Sequence, residues 1–543
     1  MSAAGGRAVP DMQAAGMRML PLGRDAVLFE AGDLAGVMAL HARLAAAVPP
    51  GVVDVVPAAE TVLVRFDRAR LTSDTVRAWV SAAAAGAAPA ADALTPAVLP
   101  VRYDGTDLDD VASILGTSPE ALVARHAATA WTVAFTGFAP GFGYLVGAGW
   151  DLNVPRLPSP RAQVPAGAVG LAGAFSGAYP RESPGGWRLI GTTDAVLFDP
   201  DGTRPALLAP GTPVRFLPAR SRSVSRSPGP APTSSPTLPP VSPAGHHAPR
   251  GIRIVEPGAR ATLQDGGRPG RAAEGIAVSG AADRDAWALA NRLLGNRAGA
   301  AAIEVVLGGL RAVAERDLAV VVTGGWAPVV IDGRPGDPFV VHAWPAGTEL
   351  RLDGMLAGAR AYLAVRGGWD AAPVVGSRST DTLSGLGPAP LRAGDVVAVG
   401  EEIATDPPAL PLHPWGLPDV GTDAAPLDVP FVPGPRDDWL TGTARRALAG
   451  ETWTVSAAAD RIGVRLEGPS LERSRSDELA SEGMVPGAIQ VPPSGLPVVF
   501  GVDGPVTGGY PVVGVVTAAG LGRLAQARPG DRVRLRPVAS SAH

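Results

Sequence analysis

The sequence predicts a mainly β protein with a small α+β unit at its N-terminal end, and three observations lead there. The 543 residues include 69 Gly and 56 Pro against 5% aromatic content, a composition that interrupts elements often and favours turn-rich β structure over long helices. Past about residue 98 the apolar segments are short and separated by Gly/Pro turns, the pattern of strands. The chain is also longer than one hydrophobic core supports, so several domains of roughly one hundred to two hundred residues are expected.

Residues 17–95 read as strand, helix, strand, strand, helix: AVLFEAG, the Ala/Leu-rich Ala35 to Val48, GVVDVVPA, TVLVRFD and Asp74 to Ala84. That order predicts an α+β sandwich. Residues 96–218 read as β, with one helical interruption from Leu108 to His126, in which Thr117 and Glu120 have the spacing of a capped start. From Ala219 to Pro249 the chain is dominated by Pro and Ser with almost no aliphatic residue, which predicts a disordered, extended linker over 219–249. The segment PGTPVRFLP before Ala219 recurs as RAGDVVAVG near Gly394 and RPGDRVRLRP near Gly530, so the remainder is expected to hold two further β units, 250–410 and 411–540.

Composition removes whole classes of chemistry. All 47 basic residues are Arg, so neither a phosphate-loop lysine nor a Schiff base is available. A net charge of −4 without a basic block argues against nucleic acid as a partner. With no Cys there are no disulfides, thiolate metal sites or thiol nucleophiles. The seven His (His41, His126, His246, His247, His342, His413 and His543) lack zinc-enzyme spacing. No charged segment followed by a long apolar stretch opens the chain and no run of eighteen apolar residues occurs, so the expectation is a cytoplasmic protein with no membrane partner.

Two sets of motifs carry a family resemblance. FTGFAPGFGYLVG from Phe135 and RAQVPAGAVGLAGAFSGAYPRESPGGWRLIGTT from Arg161 resemble the B-type subunit of bacterial 5-oxoprolinase, also described as allophanate hydrolase subunit 1 and as a sporulation-kinase inhibitor. VEPGARATLQDGGRPG, VSGAADRDAWALANRLLGN, AAIEVVLGG, GSRST, SAAADRIGVRLEG, SEGMVPGAIQVPPSGLPVV and TGGYPVVG resemble the C-type subunit, also called allophanate hydrolase subunit 2 or biotin-dependent carboxyltransferase-like protein. The chain therefore resembles a fusion of the two. Gly143 stands where the family usually has a second proline, and GVDGPV at 501–506 stands where polar residues are commoner.

The resemblance implies cyclophilin-like β-barrels, one in the B-like half and two in the C-like half. It also implies that the halves associate and act with a separate A-type subunit to open 5-oxo-L-proline to L-glutamate at the expense of ATP, with Mg²⁺ the expected companion of the nucleotide and the metal site itself unassigned. A homo-oligomer is left open. Biotin has no attachment lysine here.

Within the matching motifs, Arg268, Arg378 and Arg461 are candidate clamps for carboxylate or phosphate, with a structural ion pair as the alternative for each. Asp265, next to Gln264, and Asp460 are candidate bases or magnesium ligands, with turn capping as the rival. Glu304 is a lone carboxylate in an apolar strand, which demands a partner or a function. Ser379 lies in GSRST. Tyr179, Gly185, Gly186 and Trp187, and Thr507, Gly508, Gly509 and Tyr510, offer free amides and polar-tipped aromatic walls to a small molecule, or serve as barrel turns. Ser279, Gly280 and Asp283 open a helix at Trp287, as an N-cap or an anion site. Two other functions compete: a regulatory protein that docks a histidine kinase, and urea carboxylase or allophanate-hydrolase-like amide chemistry.

Overall fold

The computed structural model describes residues 17–86, 95–219, 251–410, 412, 413, 422 and 425–539. Most of the expected linker, with His246 and His247, and His543 lie outside the described residues. The protein is mainly β, and its strands gather into four neighbouring bodies.

Over 17–86 a four-stranded antiparallel sheet runs in the order Arg18–Pro21, Ala26–Glu30, Thr61–Phe66, Val52–Pro57. Helices α1 (Leu34–Ala46) and α2 (Ser73–Ala85) cover one face, and the Asp33 and Thr72 side chains accept the amides of Gly36 and Thr75 at their starts. The other face is also buried. Leu20, Leu28, Val56 and Leu63 pack with Met484, Val485, Val512 and Val515 from the far end of the chain. Two-sided burial explains why AVLF and TVLV read as continuous apolar runs instead of alternating ones.

The second body is a seven-stranded sheet, ordered Arg188–Thr192, Ala168–Ala172, Phe175–Ala178, Gly143–Gly147, Trp131–Thr136, Pro213–Pro218, Ala97–Val101. A bridge between Arg102 and Thr192 brings its two edges together. The expected single helix is two, α3 (Leu108–Ile114) and α4 (Pro119–Ala128). Gly116 takes a left-handed φ of 63° that stops the first, and Pro119 opens the second, capped by Ser118 instead of Thr117.

Residues 251–410 form a seven-stranded and a five-stranded sheet, with one large core running from Ile252 to Val399. Helix α5 (Arg284–Leu293) lies against the strands Leu318–Trp326 and Ala357–Val365. The last body is a closed seven-stranded barrel with α6 (Gly442–Gly450) and α7 (Ala518–Gln526). The repeated chain endings have a structural counterpart. Pro213–Pro218 and Arg532–Pro537 each pair in parallel with the first strand of their own body, whereas Val396–Val399 pairs antiparallel with Ile252–Pro257.

Candidate functional site

Arg461 stands at the centre of the seam between the last two bodies, fully buried. Its Nε and Nη2 donate to Asp503 (2.8 and 3.0 Å), Nη1 donates to Glu304 (2.7 Å), and Nη2 also reaches the Gly280 carbonyl (2.6 Å) and Gln264 Oε1 (3.3 Å). Glu304 is satisfied on its other oxygen by Tyr362 Oη (2.8 Å) and the Ala282 amide (3.1 Å). Burial would raise both carboxyls and lower the guanidinium. The opposite charges outweigh it, so Glu304 and Asp503 are held below and Arg461 above their ordinary values. Asp503 also accepts Ser279 Oγ (2.8 Å) and Thr382 Oγ1 and N (2.8 and 2.9 Å), binding the loop after GSRST into the cluster. Asp381, at the base of that loop, is pushed up by burial and then by the Asp503 charge.

Asp265 lies beside this cluster and accepts from Ser377 Oγ (2.6 Å), Ser379 Oγ (2.5 Å), the Arg378 amide (2.7 Å) and the Gly267 amide (2.8 Å). Its oxygens are thus engaged in shaping the GSRST turn. Asp460 similarly accepts the amides of Ile462 and Gly463 (2.8 and 2.9 Å). Among the described residues no three or more His, Asp or Glu gather into a metal-holding group. Arg378 turns outward to Asp370 and Glu402 (3.0 and 2.9 Å). Asp283 caps α5 through the Ala286 amide (3.0 Å) and is tied to Gln526 of α7 (2.7 Å).

The motif loops of the N-terminal half come to the same region. Thr136 Oγ1 donates to the Ala273 carbonyl (2.6 Å), and the Gly141 amide to that of Glu274 (3.1 Å). Arg181 donates to the carbonyls of Leu383 and Ser384 (2.7 and 3.3 Å), the loop anchored at Asp381 and Asp503. Gly137 abuts Thr507: a β-carbon there would stand 2.1 Å from its hydroxyl oxygen. Phe138 follows with a strained φ of 67° and 40% exposure, its ring 6.0 Å from that of Tyr179. Tyr179 and Trp187 are buried around Phe142, and a β-carbon on Gly185 would meet Tyr179 Oη at 2.4 Å. Burial pushes the Tyr179 hydroxyl up to about 12. Gly186 is half-buried and Gly509 exposed, while Tyr510 is 46% exposed. Gly508 packs on Met484 and Gln490.

A narrow cleft of about 20 Å³, room for roughly one water, lies where the N-terminal sheet meets the last two bodies. Asp54 and Arg65 line it on one side, Arg268, Ile276 and Val278 on another, and Met484, Phe500 and Val506 on the third.

The structure thus brings Gln264, Asp265, Arg268, Glu304, Ser379 and Arg461 together and sets Arg378 and Asp460 outside the cluster. Sequence reasoning missed Asp503, Asp381, Asp54, Arg65 and Arg181. Asp503 lies in the GVDGPV stretch already singled out as a departure, and a lone carboxylate between glycines in an apolar run was the available signal. The others look like ordinary turn or strand charges until the bodies are assembled.

Fold and seam together define a protein of carboxyltransferase-domain architecture. Residues 274–537 match the family described as carboxyltransferase domain, subdomain A and B, and residues 17–208 match carboxyltransferase domain, subdomain C and D. The chain is 34% identical over 291 residues to the C-type subunit of 5-oxoprolinase from Escherichia coli, 52% of this chain and 89% of that protein. It is 46% identical over 122 residues to the B-type subunit of 5-oxoprolinase from Haemophilus influenzae, 22% of this chain and 57% of that protein. The crystal structure of TTHA0988 superposes with a TM-score of 0.81 at 35% identity, covering 94% of this chain and 99% of that one. The chain belongs to the family of the B-type and C-type subunits of 5-oxoprolinase, with the two fused in one polypeptide.

Proposed function

We propose that the chain is the B/C component of an ATP-dependent 5-oxoprolinase. It activates the lactam oxygen of 5-oxo-L-proline by phosphorylation, and a separate A-type subunit completes hydrolysis to L-glutamate. The observation that carries this reading is the convergence of motif loops: Gly137 on Thr507, Gly141 on Glu274 and Arg181 on the loop after GSRST bring motifs of both subunit types around one region. ATP is a co-substrate in this reading, brought with magnesium. The lactam is a poor electrophile, and phosphorylation of its oxygen gives water a better one, with phosphate as the leaving group. Thr507 stands at the convergence against Gly137, with the half-exposed Phe138 next to it, while the Arg461 cluster fixes how the two C-like bodies sit.

The test is glutamate formation by the purified chain with 5-oxo-L-proline and ATP, with and without an A-type subunit. Glutamate and ADP appearing together only when chain, partner and ATP are all present is the expected result. No response of either product to 5-oxoproline sinks the reading.

A further inference from the structure

Three large apolar residues meet at the surface of the body formed by residues 251–410. The Met355 amide donates to the Leu307 carbonyl (3.3 Å) and the Leu356 amide to the Trp326 carbonyl (2.7 Å), which brings Leu307, Trp326 and Leu356 together. Leu356 is 67% exposed, Leu307 43%, and Trp326 is half-buried. Leu307 also holds a left-handed φ of 58°, a conformation that is costly for a residue with a β-carbon. Arg260, exposed and without an ion pair among the described residues, lies on the neighbouring strand opposite Val306. Arg528 of the last body comes in beside them, donating to the carbonyls of Met355 (2.9 Å) and Gly358 (2.7 Å). The result is an apolar face with a cationic rim at the edge of the seam. A second exposed face carries the opposite rim. In α3, Asp110 and Ile114 lie one turn apart on one side of the helix, with Ile114 47% exposed. Asp104 and Asp107 are paired with Arg102 and Arg161, whereas Asp109 and Asp110 are exposed and without an ion pair among the described residues.

We propose that the chain self-associates, with the Leu307 and Leu356 face of one copy seated on α3 of another. Leu356 then packs against Ile114, and Arg260 faces Asp109 and Asp110. Exposed apolar side chains gathered inside a charged rim are the make-up of an association face. Opposite rims favour this pairing over the same face on both copies, where cation would meet cation. Both faces are open to solvent within one chain, so a second copy is what brings them together. The contact joins two different faces and is therefore head-to-tail. Neither the Arg461 cluster nor the converging motif loops take part in it, so the inference stands apart from the proposed function.

Velocity sedimentation of the full chain over a range of concentrations tests the contact. A species larger than one chain that dissociates on dilution is the expected result. Leu356→Glu, at a side chain exposed enough to leave the melting temperature unshifted, should weaken the association about ten-fold or more. Arg260→Glu should weaken it as well, as should Asp109→Arg with Asp110→Arg, and combining the two reversals in one chain should restore it. A chain that sediments as a monomer at every concentration, an assembly indifferent to Leu356→Glu, or charge reversals that fail to restore one another overturns the inference.

Discussion

Arg461 has a charge environment that can be tested by subtraction. Glu304 and Asp503 contact it directly, and Arg360 stands 3.6 Å from Glu304, so two negative and two positive groups share the seam. Arg461→Met leaves two buried carboxylates with one remaining cation, an arrangement that costs about 3–5 kcal/mol when one partner of a buried pair is removed. A large drop in the urea midpoint is expected, with most of it recovered by adding Glu304→Gln and Asp503→Asn. A single-variant loss of under about 1 kcal/mol would mean that water reaches the seam. At this scale the sequence was legible wherever chemistry conflicted with pattern. A carboxylate inside AAIEVV had to be paired, and it is, by an arginine 157 positions later. Asp265 and Asp460 were ambiguous because a turn acceptor and a catalytic carboxylate look alike before their donors are placed. Arg378 and Arg268 could not be told apart by motif either, since only the folded chain shows that one finds Asp370 and Glu402 while the other finds carbonyls.

Helix α4 joins the second body through His126. Its ring lies between Tyr103 Oη on Nδ1 and Ser176 Oγ on Nε2, both at 2.8 Å, and packs against Trp131 and Phe216. Burial lowers its pKa to about 3, far below the roughly 6.5 of an unfolded chain. The folded value is depressed for a base, so above about pH 6.5 neither state is charged and the group adds no pH dependence. Below that, only the unfolded chain takes the proton, and stability falls by about 1.4 kcal/mol per pH unit until the folded ring protonates near 3. Urea unfolding followed by tryptophan fluorescence should therefore show a slope between pH 6 and 4.5 that is shallower by one proton in His126→Gln. An unchanged slope would mean the ring is already protonated or wet. At the scale of elements, the helices and strands of residues 26–85 were legible because their apolar runs and caps are local. The break between α3 and α4 was not, since the Thr117/Glu120 spacing competed with Ser118–Pro119 and only the backbone reversal at Gly116 decides between them. The short edge strand Arg18–Pro21 carries too few residues to announce itself.

Across the whole molecule, the halves are joined by more than their tether. The sheet of residues 17–86 shares an apolar core with the last body, Leu28 and Leu63 against Met484 and Val515. Glu30 pairs with Arg436 at 2.8 Å, and Arg436 pairs in turn with Glu482. The Ala59 amide donates to the Ser481 carbonyl (3.0 Å), and Arg181 closes the opposite edge on Leu383 and Ser384. Contact between halves followed from the fusion itself, but which surfaces meet depended on the hidden second face of the N-terminal sheet. A covalent tether contributes an effective concentration of roughly millimolar, so its role shows only when the interface is weakened. A protease site engineered between residues 225 and 245 should, on cleavage, leave the two fragments eluting as one species at micromolar concentration. Leu63→Asp places an uncompensated carboxylate in the shared core, so the cleaved variant should separate while the uncleaved one keeps both halves on one chain. Separation of the unsubstituted fragments at low salt would instead mean that the tether holds the halves together.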